Sequence, residues 1–201
     1  WSDVVASTGE GLRAHVADVE RRLGAQVTVQ IDEPMIGSVI DGTVRPLTRF
    51  DTIPAIPVAE VSQAMRELLD IIDRPAIMHN CGQQRWDLVE KLPGVAVGVD
   101  ISALVGAADL DGIGALIDRG DVLVAGAVPA GHADRSVRAE TVATSLAALT
   151  DRIGLNRKVL SGNVIVTPTC GLAGVTPAWA TAALGICASA GELLATDPDA
   201  L

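Results

Sequence analysis

The strongest constraint on what this chain can fold into is an alternation. Short apolar or β-branched runs, starting near residues 27, 76, 95, 122 and 163, are separated by segments whose apolar residues recur at helical spacing. "QVTVQIDEP", "AIMHNCG", "VAVGVDIS", "VLVAGAVPAG" and "NVIVTPTCG" read as strands. Ahead of them, Leu12, Val16, Val19 and Leu23 form a helical stripe that Gly24 ends. Between them, Val61, Met65, Leu68 and Ile72 share one helical face, residues 84–92 read as a short helix, and "ALVGAADLDGIGALIDRG" and residues 136–153 read as helices. After the last strand, Thr176-Pro177 makes an N-cap and first-turn pair for a helix presenting Trp179, Ala183, Ile186 and Ala190. Strands that are apolar throughout, each followed by a helix, imply a parallel sheet covered by helices.

A chain of 201 residues suffices for a single domain, residues 1–201, with a sizeable core. Five strand–helix units fall short of a closed eight-stranded barrel, which takes about 250 residues. They form either an open sheet or the last five units of a (β/α)8 TIM-type barrel. The polar residues favour the barrel. Asp32-Glu33, His79 and Cys81, Asp100 and Ser102, His132, and Thr169-Cys170 all fall where a strand ends. That carboxyl end is the functional face of α/β folds, and an open sheet concentrates its chemistry at one switch point instead.

A net charge of −10 argues against nucleic acid or an anionic membrane surface as partner, because both need a basic footprint. No secretory signal opens the chain, and three scattered cysteines do not make a disulfide framework, so a reducing cytoplasm is expected. Residues 159–191 carry no charge, but Pro168 and Pro177 interrupt them, and no membrane span is expected. Aromatics are limited to Trp1, Trp86, Trp179 and Phe50, so small aliphatic side chains must build the core. The connection from Met35 to Pro57 is long and rich in Gly and Pro; with Arg45, Arg49 and Phe50 it is expected to act as a lid.

His79 and Cys81 lie two apart on an extended segment, and period-2 geometry puts both side chains on one side of the strand. An imidazole nitrogen and a thiolate there can reach one ion. Cys170 ends the last strand and Asp100 an intermediate one, so one nitrogen, two sulfurs and an oxygen would make a zinc-type set. Cys187 falls inside the last helix and reads as core.

"VQIDEP", "HNCG", "VGVDIS" and "VTPTCGL" occur in the order found in the catalytic barrel of cobalamin-independent methionine synthase, and the chain resembles that family from about residue 12 to its end. The resemblance implies zinc bound by His79, Cys81, Cys170 and Asp100, the last standing where the family has Glu. It implies that Asp32, with Glu33, contacts the amino group of a homocysteine-like substrate, and that His132 takes the place of the family's catalytic His. It departs from the family at Thr169, where an Asp is usual, and at Pro129, which interrupts the D-x-H-S motif. H-x-C-G with a following "VDIS" is also similar to the uroporphyrinogen decarboxylase-like group, which includes corrinoid-dependent thiol methyltransferases.

The activity implied is zinc-dependent methyl transfer to a thiol, homocysteine giving methionine, from a methyltetrahydrofolate-type donor. The alternatives are a corrinoid donor, or a diverged barrel that keeps zinc without catalysis. Zinc suits the chemistry because coordination deprotonates a thiol whose free pKa is ~8.5.

Overall fold

The computed structural model describes residues 2–201 apart from Arg49, His132 and Arg135. Its contacts divide the chain into two compact units, Trp1–Val95 and Ala96–Leu201.

In the first unit, α1 (Ser2–Leu23) ends at Gly24, whose left-handed φ of 63° is the conformation glycine adopts without steric cost. α1 packs on α3 (Val58–Ile72), and the two come close because Gly9 has no side chain: a Cβ there would lie 2.8 Å from Ile71 Cγ2. Between them in sequence come β1 (Val29–Asp32) and α2 (Ile36–Asp41), and β2 (Ala76–His79) and α4 (Trp86–Val89) follow α3. β1 and β2 pair in parallel with Asp32 opposite His79. Arg74 and Glu20 form an ion pair at 3.0 Å that ties α1 to the entry of β2.

α2 departs from the expected open connection. Ile36 and Ile40 are buried, Gly42 caps the helix in the left-handed region, and Ile56 N–H donates to Val39 O at 3.1 Å. The chain from 43 to 55 therefore leaves α2 and returns to it. Of the residues expected to make a lid, Arg49 lies outside the described residues and Phe50 is exposed.

The second unit contains β3 (Ala96–Asp100), α5 (Ala107–Asp118), β4 (Leu123–Val128), α6 (Ala139–Ile153), α7 (Val159–Asn163), β5 (Val164–Pro168) and α8 (Pro177–Thr196). β4 pairs in parallel with β3 on one side and β5 on the other. Its sequence LVAGAV is buried at every position but Ala127, as expected of a strand covered on both faces. The expected helix at 103–120 begins only at Ala107, because Asp100 caps a 3₁₀ turn over Ile101–Ala103 first.

β1 and β2 in the first unit, and β3, β4 and β5 in the second, pair in parallel throughout and alternate with helices, the pattern of part of a (β/α)8 barrel.

Pro177 does not interrupt α8 but starts it, with Thr176 as N-cap accepting from Trp179 N–H at 3.3 Å. α8 is consequently a 20-residue apolar helix, long enough by length and composition to cross a membrane. Its buried stripe of Trp179, Ala183, Cys187, Ala190 and Leu194 packs on β5, β4 and α6. Cys187 lies on that stripe, and burial pushes its thiol up to about 11.

Candidate metal centre

β2 delivers its last residue, His79, to the carboxyl end of the strand, and the next two residues carry the chain to Cys81. The extended spacing acts as expected: Cys81 Sγ lies 3.6 Å from His79 Nε2. The other ring nitrogen faces β1. His79 Nδ1 is 3.5 Å from Asp32 Oδ1 and 3.5 Å from Gln30 Nε2, and Gln30 Nε2 donates to Asp32 Oδ1 at 2.8 Å. The parallel register that sets Asp32 beside His79 produces this arrangement. In the tautomer that carries its proton on Nδ1, toward the Asp32 carboxylate, the Nε2 lone pair faces the sulfur. The His79 side chain is 12% exposed and that of Asp32 61%.

Glu33 follows Asp32, and its N–H donates to His79 O at 2.8 Å, continuing the β1–β2 ladder one residue beyond the strands. Partial burial, with a smaller contribution from the neighbouring Asp32 charge, raises the Glu33 carboxyl above its ordinary range.

Cys170 stands two residues beyond the end of β5 and is exposed. The residue before it is fixed twice. Thr169 N–H donates to Val128 O at 2.8 Å, and Thr169 Oγ1 accepts from Ala130 N–H at 3.2 Å. The hydroxyl at this position therefore anchors the β4 exit to the segment bearing Cys170. A cavity of about 580 Å³ opens beside it, lined by Thr169, Ser102, Gly126 and Pro129 among others. Its volume is in the range of small-molecule sites.

His79 and Cys81 in the first unit and Cys170 in the second each offer one donor atom. Among the described residues they form a group that can hold a metal ion. One imidazole nitrogen with two thiol sulfurs is a soft, borderline donor set that suits Zn²⁺. Asp100 is outside that group. Its Oδ1 accepts from both the N–H and the hydroxyl of Ser102, at 2.9 and 2.6 Å, which makes it the cap of the 3₁₀ turn. His132 lies outside the described residues.

Sequence reasoning missed Asn80. It stands between the two donors His79 and Cys81, is 3% exposed, and uses both ends of its amide on the turn that follows. The signal available was its position in H-N-C-G, where a polar residue flanked by two candidate ligands has its own hydrogen bonds to satisfy.

The model of the cobalamin-independent synthase catalytic domain matches residues 2–192, and the chain belongs to that family. No curated protein matches it.

Proposed function

We propose, starting from that family membership, that the chain transfers a methyl group to a thiol with the help of zinc, homocysteine being the acceptor and a methyltetrahydrofolate-type compound the donor. The observation that carries the proposal is the His79, Cys81 and Cys170 donor set. When bound there, zinc supplies the Lewis acidity that keeps a coordinated substrate thiol deprotonated at neutral pH. Three protein ligands leave a position for that thiol.

The chain's own residues account for the rest. Asp32 holds the imidazole of His79 from the Nδ1 side and, being exposed, also offers a carboxylate to a substrate ammonium group. Glu33, whose raised carboxyl takes up a proton more readily than an ordinary Glu, is the second group proposed at the amino end of the substrate. Asp100 is proposed as a fourth ligand or as a group that orients the others; its bonds to Ser102 fix the carboxylate in place. His132 is proposed as the catalytic His on the family resemblance. The hydroxyl-bearing cavity beside Thr169 provides room for a small substrate. A cytoplasmic location, where thiols stay reduced, belongs to the same reading.

The test compares zinc content and methyl transfer from methyltetrahydropteroyl-triglutamate to homocysteine in the full chain, Cys170→Ser and Cys187→Ser. Loss of zinc in Cys170→Ser with retention in Cys187→Ser is expected. Equal zinc in all three removes the metal reading, and zinc without transfer removes the assigned reaction.

A further inference from the structure

The turn that carries Cys81 is held by a buried side chain outside the donor set. We propose that Asn80 is a positioning residue that sets the geometry of the His79–Cys81 pair, an inference that rests on the zinc reading above.

The Asn80 amide oxygen accepts from Gly82 N–H at 2.9 Å, and its amide nitrogen donates to Gln83 O at 2.6 Å. One planar group thus fixes the peptide that joins Cys81 to Gly82 and the one that joins Gln83 to Gln84. On the other side, Asn80 O accepts from Gln84 Nε2 at 3.2 Å. Gln84 Oε1 is buried without a partner, so the turn retains an uncompensated carbonyl to make this bond. Nor is there slack at Gly82, where a Cβ would come within 3.3 Å of Asn80 Oδ1 and 3.6 Å of Pro34 O.

The chemistry explains the residue type. The turn needs one acceptor for Gly82 N–H and one donor for Gln83 O, and a primary amide supplies both. A carboxylate supplies the first and sets a lone pair against the second, whereas alanine supplies neither. The fold beyond the turn does not depend on Asn80, because Arg85 bonds Asp87 at 2.8 Å and also pairs with Asp41, fixing the start of α4 to α2. Removing the amide therefore loosens Cys81 locally. The metal-competent arrangement, with Sγ 3.6 Å from His79 Nε2, then becomes one of several. Apparent affinity falls in proportion to the population of that arrangement.

The experiment uses the full chain and the variants Asn80→Ala, Asn80→Asp, Cys81→Ser and Asn163→Ala. Asn163 is the control because its amide also donates to a backbone carbonyl, that of Asp121 at 3.1 Å, in the other unit. Zinc affinity is read by competition with a chromophoric chelator, the ligand field by the visible spectrum of the Co²⁺ form, and folding by melting of the metal-free protein. Asn80→Ala should bind zinc about 10- to 100-fold more weakly, the range for residues that orient metal ligands, with weakened Co²⁺–thiolate bands. Asn80→Asp should fall between Asn80→Ala and the wild type, and Asn163→Ala should change melting without changing affinity. Affinity unchanged in Asn80→Ala, or lost equally in Asn163→Ala, overturns the role of Asn80. If Asn80→Ala does not fold, Asn80→Asp decides by the same criterion. A wild-type chain that binds no zinc, or a Cys81→Ser variant that binds it normally, overturns the metal reading itself, a result distinct from normal binding by every Asn80 variant.

Discussion

Gly126 offers the most demanding test of how the fold positions the site. It lies on β4 where pairing with β5 slips, Gly126 facing Thr167 and Val128 facing Pro168. A Cβ built on Gly126 would come within 2.9 Å of Thr169 Cα, 3.0 Å of Val99 O and 3.3 Å of Pro168 O. These neighbours belong to the backbones of the two flanking strands and their exits, so no side chain can swing aside. The closest contact falls about 0.5 Å short of ordinary van der Waals distance, and Gly126→Ala must spread β3 from β5 to relieve it. Overpacking of this kind costs about 1–3 kcal/mol. In a chain of this size each kcal/mol lowers the melting temperature by about 2–4 °C, so a drop of roughly 2–12 °C is expected by circular dichroism. The strain has a direction. Thr169 precedes Cys170, so the same displacement shifts Cys170, and on the proposed zinc reading affinity should fall about tenfold. Gly185→Ala is the control: a Cβ there meets nothing within 4 Å, and the exposed helix position should gain about 0.5–1 kcal/mol. A Gly126→Ala protein that melts with the wild type and binds zinc as tightly would refute the reasoning.

Two further outcomes follow from α8. Burial holds the Cys187 thiol at about 11 against an ordinary 9.0. Below the lower value both folded and unfolded chains keep the proton; above it only the unfolded chain releases it, so stability should fall by up to about 1.4 kcal/mol per pH unit between pH ~9 and ~11. Cys187→Ala should flatten that part of the stability–pH curve relative to wild type, and parallel curves would show the thiol is not desolvated. Thr176→Ala removes the acceptor of Trp179 N–H and should cost about 1 kcal/mol, whereas Thr176→Ser should keep most of it. Identical melting of the alanine and serine variants would refute the capping role.

The five strands and the helices α1, α3, α6 and α8 are legible in the sequence because each carries a period: continuous apolar residues for the strands and a stripe for the helices. In α3 the expected stripe is the buried one at Val61, Met65 and Ile72. α2 and α7 are not legible. They have six and five residues, contain Gly and Ser, and are too short to display a stripe. Helices of that length are held by burial of a few residues, here Ile36, Ile40 and Leu160, rather than by propensity. In α8 the expected face ran through Ile186, while the buried one runs through Cys187 and on to Leu194, as a helical period followed over four turns requires. The His79–Cys81 pair was legible because its geometry is local. Cys170 could not be joined to the pair by spacing: it was read from its place at the carboxyl end of the last strand, and the family resemblance added to that reading. Asn80 was illegible in the sequence because what marks it is burial and hydrogen bonding, neither of which a motif displays.

The indole of Trp179 donates to Pro129 O at 3.1 Å, and Pro129 also lines the cavity beside Thr169. The chain has three tryptophans, one phenylalanine and no tyrosine, so indole dominates its intrinsic emission. One of those indoles is buried with its N–H tethered to the carbonyl that closes the β4 exit. Movement of that exit alters the polarity around the ring and the strength of its tether, and both change the colour and yield of its fluorescence. The protein thus carries an unlabelled optical probe at the edge of its own cavity.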